Sequence, residues 1–191
     1  MIFQEYLKYN LNIETDLPFE ITSCKYPKGS QITQLGNVEQ NIYYIVSGIV
    51  VTSMETGFGE KIIDFTFQNQ LVTSLSSLLK GIPSDASVTC LKDCEIQIIP
   101  YAKLNEACKT SLTANMFYKH FLENYYLVRV QKEKDFLSKS VEQRYLDILK
   151  NRPQVIQQIP LGYIAKYLGV HPNSLSRIRK KIATPKSSVL A

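Results

Sequence analysis

The sequence predicts an α+β protein: an N-terminal antiparallel β-roll, one long helix, and a C-terminal helix-turn-helix. Three observations carry this expectation. Residues 20–100 hold short runs rich in β-branched and aromatic residues, cut by turn signals. Residues 111–138 contain neither Gly nor Pro. The last 33 residues hold six basic residues and no acid, while the first 158 hold sixteen basic and seventeen acidic, so the whole excess of a +5 chain lies at one end. At 191 residues and 45% hydrophobic content, there is enough apolar material for one large or two small cores and too much for wholesale disorder. The expected divisions are 1–110, 111–138 and 139–191.

The elements follow in order. Ile2, Phe3, Tyr6 and Leu7 recur at helical spacing and predict a short helix over residues 1–16. IYYIVSGIVVTS, KIIDFTF, SVTCL and CEIQIIP read as strands, separated by turn signals such as Pro27-Lys28-Gly29, Gly57-Phe58-Gly59 and Gly81-Ile82-Pro83. Many short strands at regular spacing indicate an antiparallel sandwich or roll. Residues 101–108 read as a short helix, and the long helix starts after Ser111, a suitable cap. Along it Ala114, Tyr118, Phe121, Tyr125 and Val128 fall at 4-3-4-3 spacing, the pattern of a coiled-coil seam, and Phe117, Leu122 and Tyr126 widen the stripe. Dimerisation through Tyr118, Phe121, Tyr125 and Val128 is the expectation; the alternative is a helix that spends this row on its own sheet. SVEQRYLDILKN predicts a further helix ended by Pro153, followed by a Gln-rich connection.

LGYIAKYLGVHPNSLSRIRKKI reads as two helices joined by a tight corner. Ile164, Ala165 and Leu168 face inward on the first, with Ala165 small enough for close helix crossing. Gly169 turns the corner and Val170 staples it. Pro172 suits the first turn of the second helix, where its missing N–H costs nothing, and Leu175, Ile178 and Ile182 form its inner face. The outer face then holds Asn173, Ser174, Ser176, Arg177, Lys180 and Lys181, with no acid. A recognition helix enters a DNA major groove by its N-terminal half. Asn173, Ser174 and Arg177 are therefore the expected base contacts, because Arg pairs with guanine edges and Asn with adenine. Lys166, Ser176, Arg179, Lys180 and Lys181 are the expected phosphate contacts, which position without reading sequence.

With these residues in place, the sequence resembles the Crp/Fnr superfamily of bacterial transcription regulators, and PLGYIAKYLGVHPNSLSRIRKKI is similar to its Bacteroidetes-type members. YPKGSQI, QLGNVEQNIYYIVSGIV and GIPSDASVTCLKDCEIQII resemble the glycine pattern of a cyclic-nucleotide-binding roll, a double-stranded jelly roll, and Phe136–Leu137 resembles the family hinge. The resemblance implies a sensor roll, a dimerisation helix and a homodimer on a near-palindromic operator. RNA polymerase stands as a further candidate partner. Any switching would occur at Phe136–Leu137. Cyclic-nucleotide binders carry Gly-Glu and Arg-Ser pairs in the pocket; the corresponding positions here read Thr73-Ser74 and Ser84-Asp85. The long helix offers Leu127 and Val128 where polar contacts to the base are expected. A buried phosphate without its cation, facing Asp85, is strongly disfavoured. The pocket therefore reads as degenerate and the effector as something other than cyclic AMP or cyclic GMP, or none. The wing that follows the recognition helix is expected to be reduced or missing, since ATPKSSVLA is too short for a hairpin.

Other classes find little support. Only Cys24 lies near the N-terminus, against an iron–sulfur sensor, and His120 and His171 lie outside the roll, against haem; no cofactor is expected. Cys90 and Cys94 straddle a strand turn at a spacing unlike a zinc ribbon and, with Cys24 and Cys108, read as small core residues. Ser77-x-x-Lys80 lacks the partner motifs of a β-lactamase, and neither a phosphate loop nor H-E-x-x-H occurs, so no enzyme is expected. The longest apolar run, Ile42 to Val51, is far short of the roughly 20 residues of a membrane span, and the N-terminus lacks signal-peptide features, so a cytoplasmic protein is expected. Two rival functions remain open: a regulator answering to a cyclic nucleotide through an altered pocket, and a ligand-sensing or protein-interaction module without DNA binding.

Overall fold

A computed structural model describes residues 2–183. The chain divides into two compact units, 1–130 and 131–191, with the division inside the long helix. In place of a separate body at 111–138, the helix contributes most of its length to the first unit.

The first unit opens with α1 (Phe3–Leu11), shorter than the expected 1–16 because Asn12 turns left-handed and closes it. Eight strands follow: β1 (Thr22–Tyr26), β2 (Gln31–Thr33), β3 (Asn41–Ser47), β4 (Ile49–Thr56), β5 (Gly59–Phe67), β6 (Leu71–Val72), β7 (Ala86–Cys90) and β8 (Cys94–Pro100). A one-and-a-half-turn helix, α2 (Leu75–Lys80), lies between β6 and β7. The strands form two antiparallel four-stranded sheets, ordered β1-β8-β3-β6 and β2-β7-β4-β5. α3 (Tyr101–Ala107) and α4 (Leu112–Ser138) follow. Ser111 caps α4 as expected, its Oγ accepting the Ala114 N–H at 3.3 Å.

The unbroken apolar run of β3 has a direct cause. Tyr43 and Ile45 join Val50, Val88 and Ile96 between the sheets, while Ile42 and Tyr44 face the helices with Ile99, Leu104 and Phe117. A strand covered on both faces needs apolar residues at every position rather than at alternate ones. Phe3 locks α1 into the helical side, edge-on to Tyr44 (centroids 5.4 Å) and to Phe117 (4.9 Å). Gly48 joins β3 to β4 with φ 99°, and a Cβ there would lie 2.5 Å from Cys94 Sγ and 2.6 Å from the Asp93 carbonyl. Both the backbone and the packing demand glycine.

This core corrects the expected dimer seam. Phe121 is 4% exposed inside it, and Tyr118 and Tyr125 pack against it, Tyr118 OH 3.2 Å from Tyr101 OH. These three residues are spent on the roll, because α4 is the lid of the helical side of the core. Of the expected row only Val128, 50% exposed, stays open, beside Tyr126 (67%) and Leu127 (61%).

The second unit contains the end of α4, then α5 (Val141–Asn151), α6 (Pro153–Gln158), α7 (Leu161–Leu168) and α8 (Pro172–Ala183). Ser140 and Gln143 close a reciprocal capping box at α5: the Gln143 N–H donates to Ser140 Oγ at 3.3 Å and the Ser140 N–H to Gln143 Oε1 at 2.8 Å. The Gln-rich segment is not a loop. Pro153 ends α5 but also starts α6 at its first position, and Val155 buries the short helix. The expected reduction or absence of the wing falls on residues 184–191, which lie outside the described residues. Among the described residues no helix is long and apolar enough to cross a membrane, and no group of three or more His, Cys, Asp or Glu could hold a metal.

Candidate nucleic-acid interface

The α7–α8 pair is built by burial of small and branched residues. Ala165 and Leu175 are wholly covered, Ile164 and Leu168 nearly so, and Ile178 and Ile182 are half-buried behind them. The chain leaves α7 through Gly169 at φ 75°, and the Val170 N–H returns 3.0 Å to the Ala165 carbonyl. No side chain crowds Gly169, so glycine is needed there for its left-handed backbone rather than for space. α8 then begins at Pro172, with an unexpected cap. His171 Nδ1 accepts the Asn173 N–H at 3.2 Å, and its carbonyl accepts the Ser174 and Leu175 N–H groups. Helix N-termini need such acceptors, and histidine fills here the place that Ser, Thr, Asp or Asn usually takes.

Opposite Leu175 the outer face of α8 is as the periodicity requires. Asn173, Ser174, Arg177, Arg179 and Lys180 are exposed, Ser176 is half-buried, and Lys166 is exposed on α7. The described stretch from Leu161 to Ala183 holds no acidic residue. Lys181 is engaged differently: its Nζ lies 2.7 Å from Glu142 Oε2 in the first turn of α5. That pair is solvated and worth little, but it turns Lys181 toward α5.

Arg144 was missed and is central to this unit. From α5 it donates Nη2 to the Leu168 carbonyl at 3.2 Å, at the end of α7, and its guanidinium lies 5.0 Å from the Phe136 ring centroid. The end of α4 and the α7 corner thus share one cation. No sequence signal marks this role, since the acceptor is a backbone carbonyl 24 residues downstream. Lys139 adds a second tie, 2.9 Å from Asp135 on α4 and 2.7 Å from Asp147 on α5. The Lys139 and Gln131 hydrogen bonds hold the Asp135 carboxyl below its ordinary value.

In the roll, the positions expected to form a degenerate pocket have internal partners. Thr73 Oγ1 donates to the Asn41 carbonyl at 2.7 Å. Ser84 Oγ lies 2.7 Å from both the Ser74 hydroxyl and the Ala86 carbonyl, and accepts the Ala86 N–H at 3.2 Å. Ser77, which the sequence marked only within the chance Ser77-x-x-Lys80 match, is wholly buried, donating to the Ile82 carbonyl at 2.6 Å and accepting the Glu39 N–H at 2.8 Å. Asp85 is exposed, as are Leu127 and Val128. Glu39, also missed, is buried at the entrance to β3. It accepts from the Thr33 hydroxyl, from the Gln40 and Asn41 N–H groups (2.9 and 3.0 Å) and from Tyr43 OH (3.1 Å). Burial first, and then this carboxylate, push the Tyr43 hydroxyl well above the ordinary tyrosine range.

Residues 23–111 match the family model of the cyclic nucleotide-binding domain. Among curated proteins the sequence has no match. Among solved structures the chain is similar to FixK2 from Bradyrhizobium japonicum, with 14% identity, a TM-score of 0.72, and 86% of this chain and 85% of that one covered. It is similar to the c-di-GMP-responsive global regulator CLP of Xanthomonas campestris, with 18% identity, a TM-score of 0.66 and 85% and 86% covered. A protein of Eubacterium rectale, described as a transcriptional regulator of the Crp/Fnr family, aligns with 16% identity, a TM-score of 0.67 and 94% and 81% covered. Residues 23–111 are thus similar to the cyclic nucleotide-binding domain, and the chain that carries them has the fold of the Crp/Fnr regulators.

Proposed function

We propose that this protein is a dimeric, sequence-specific DNA-binding transcription regulator whose roll does not take cyclic AMP or cyclic GMP. The observation that carries the DNA-binding half is the outer face of α8: Asn173, Ser174 and Arg177 are exposed together, acid-free, on a helix anchored from behind by Leu175. Arg177 and Asn173 read base edges, while Lys166, Arg179 and Lys180 hold phosphates. The fold shared with FixK2, CLP and the E. rectale protein supports the same reading.

Dimerisation moves to the side of α4 away from the roll. Leu112, Met116, Lys119, Glu123, Tyr126 and Val130 recur at 4-3-4-3-4 spacing, and Leu112, Met116 and Tyr126 are exposed apolar residues, with Leu127 beside them. Lys119 and Glu123, 3.8 Å apart, set the polar middle of this seam. Two recognition helices then enter major grooves about 34 Å apart.

For the effector, the hydroxyls of Thr73, Ser74, Ser77 and Ser84 are occupied by one another and by backbone, and Ser84 stands where the resemblance requires a cation for the cyclic phosphate, with Asp85 next to it in the chain. A cyclic nucleotide does not fit these residues.

Selection from random duplexes at modest salt tests the main reading. A near-palindrome with half-sites one helical turn apart is expected; recovery of no enriched palindrome overturns it. Sedimentation gives the dimer. Calorimetry with cyclic AMP and cyclic GMP should show no binding, and micromolar affinity for either would overturn the pocket reading.

A further inference from the structure

β7 and β8 belong to different sheets, and the three-residue link Leu91-Lys92-Asp93 carries the chain from one to the other. A cysteine stands at each end. Cys90 is 1% exposed and Cys94 3%, and both point into the core between the sheets with Val50, Val88 and Ile96. Gly48 leaves the space that Cys94 Sγ occupies, and the sulfur is further fixed by the Lys92 carbonyl at 3.2 Å and the Ile49 carbonyl at 3.6 Å. Cys94 differs from its neighbour in one respect. It lines a surface cleft of about 480 Å³ together with Lys25, Tyr26, Pro27, Ser47, Asp93 and Glu95.

We propose that Cys90 and Cys94 form a peroxide-reactive dithiol, Cys94 being the attacking sulfur reached from this cleft and Cys90 the resolving one. The pair loses its first proton from Cys94, because the Cys90 S–H donates to the sulfur left behind. Cys94 is thereby lowered below the ordinary thiol range, while Cys90 is held above it. A small neutral oxidant suits the site. The carboxylates of Asp93 and Glu95 outnumber the single cation Lys25 along the cleft, which disfavours anions, and a sulfur this covered is out of reach of a bulky disulfide.

The chemistry balances. The Cys94 thiolate attacks hydrogen peroxide, forming an S–O bond and breaking O–O, and the hydroxide released takes a proton and leaves as water. The sulfur, oxidised by two electrons, is now a sulfenic acid. Cys90 sulfur then attacks Cys94 sulfur, S–S forms, S–O breaks, and the departing hydroxide takes the Cys90 proton as a second water. Two thiols and one peroxide give one disulfide, tying β7 of one sheet to β8 of the other.

The full-length protein is treated with hydrogen peroxide, alkylated and digested with trypsin, which cuts after Lys92 and separates the two cysteines. Mass spectrometry should find the two peptides joined through Cys90 and Cys94, with Cys24 and Cys108 still alkylated. In C90S the reaction should stop at a Cys94 sulfenic acid trapped by dimedone, and in C94S Cys90 should stay reduced. Alkylation of Cys94 in the untreated protein should accelerate, as pH rises, at a pH below that at which Cys24 and Cys108 begin to react. Oxidation of Cys24 or Cys108 ahead of an intact Cys90–Cys94 pair, or no oxidation of the pair at all, overturns the proposal. None of these readouts depends on DNA binding.

Discussion

The turn-rich stretch 73–86 of the roll and the outer face of α8 are both rich in short polar side chains, yet they stand in opposite states. In the roll Thr73, Ser74, Ser77 and Ser84 are buried and their hydrogen bonds end on one another or on backbone. On α8 Asn173, Ser174 and Arg177 sit in solvent while the helix is held by apolar residues behind them. The first arrangement spends its polarity on the fold, and a satisfied buried network has nothing left to offer a ligand. The second separates the two tasks: apolar residues hold the helix and polar ones are left for a partner.

This contrast can be broken from either side, and the largest effect is expected behind α8. Leu175→Ala leaves a cavity under a wholly buried side chain and should cost about 2–5 kcal/mol in denaturant unfolding, taking DNA binding with it. A near-neutral result would mean that α8 is not anchored by its inner face. Ser84→Ala comes next in the roll. It strips partners from the Ser74 hydroxyl and the Ala86 N–H and should cost about 1–3 kcal/mol of stability. If unfolding were unchanged and cyclic-nucleotide binding appeared, the hydroxyls would not be spent as described.

Arg177→Ala should leave the unfolding midpoint where it is and cost about 1–3 kcal/mol of discrimination at one base position. Arg179→Ala should instead weaken binding across all sequences and flatten the salt dependence by about one unit of slope. A loss of stability in Arg177→Ala would place that residue with the roll's serines rather than with the exposed set. Asp135→Asn gives the smallest change. Because the folded carboxyl lies below its ordinary 3.8, its contribution is present above that value and is lost as pH falls through the folded one. The variant should therefore lose a small part of its stability near neutral pH and show a shallower acid slope, measured by thermal melts at stepped pH.

Much of the fold was legible because single elements obeyed single periodicities. The strands β3, β4, β5, β7 and β8, the length of α4, the Gly169 corner and the inner face of α8 follow from local spacing and composition. The α4 seam was misplaced for the same reason. The row through Tyr118, Phe121 and Tyr125 has heptad spacing whether a second chain or the roll covers it, and periodicity reports that a stripe is buried without saying by what. The candidate interface was legible as residue types on one face, whereas the supports were not. Arg144 reaches a backbone carbonyl, Lys181 reaches α5, and His171 caps where Ser or Asp would be sought.

The sequence by itself determined the order of elements, the polar outer face of α8 and the mismatch at Thr73-Ser74 and Ser84-Asp85, since each depends on neighbours within a few residues. Tertiary structure decided which face of α4 the roll consumes, that the pocket hydroxyls close on themselves, and that Cys90 and Cys94 share one buried cluster, with Cys94 lining a cleft. Those outcomes depend on which surfaces far apart in the chain are brought together. Burial and hydrogen-bond satisfaction belong to the packed whole and to no segment alone.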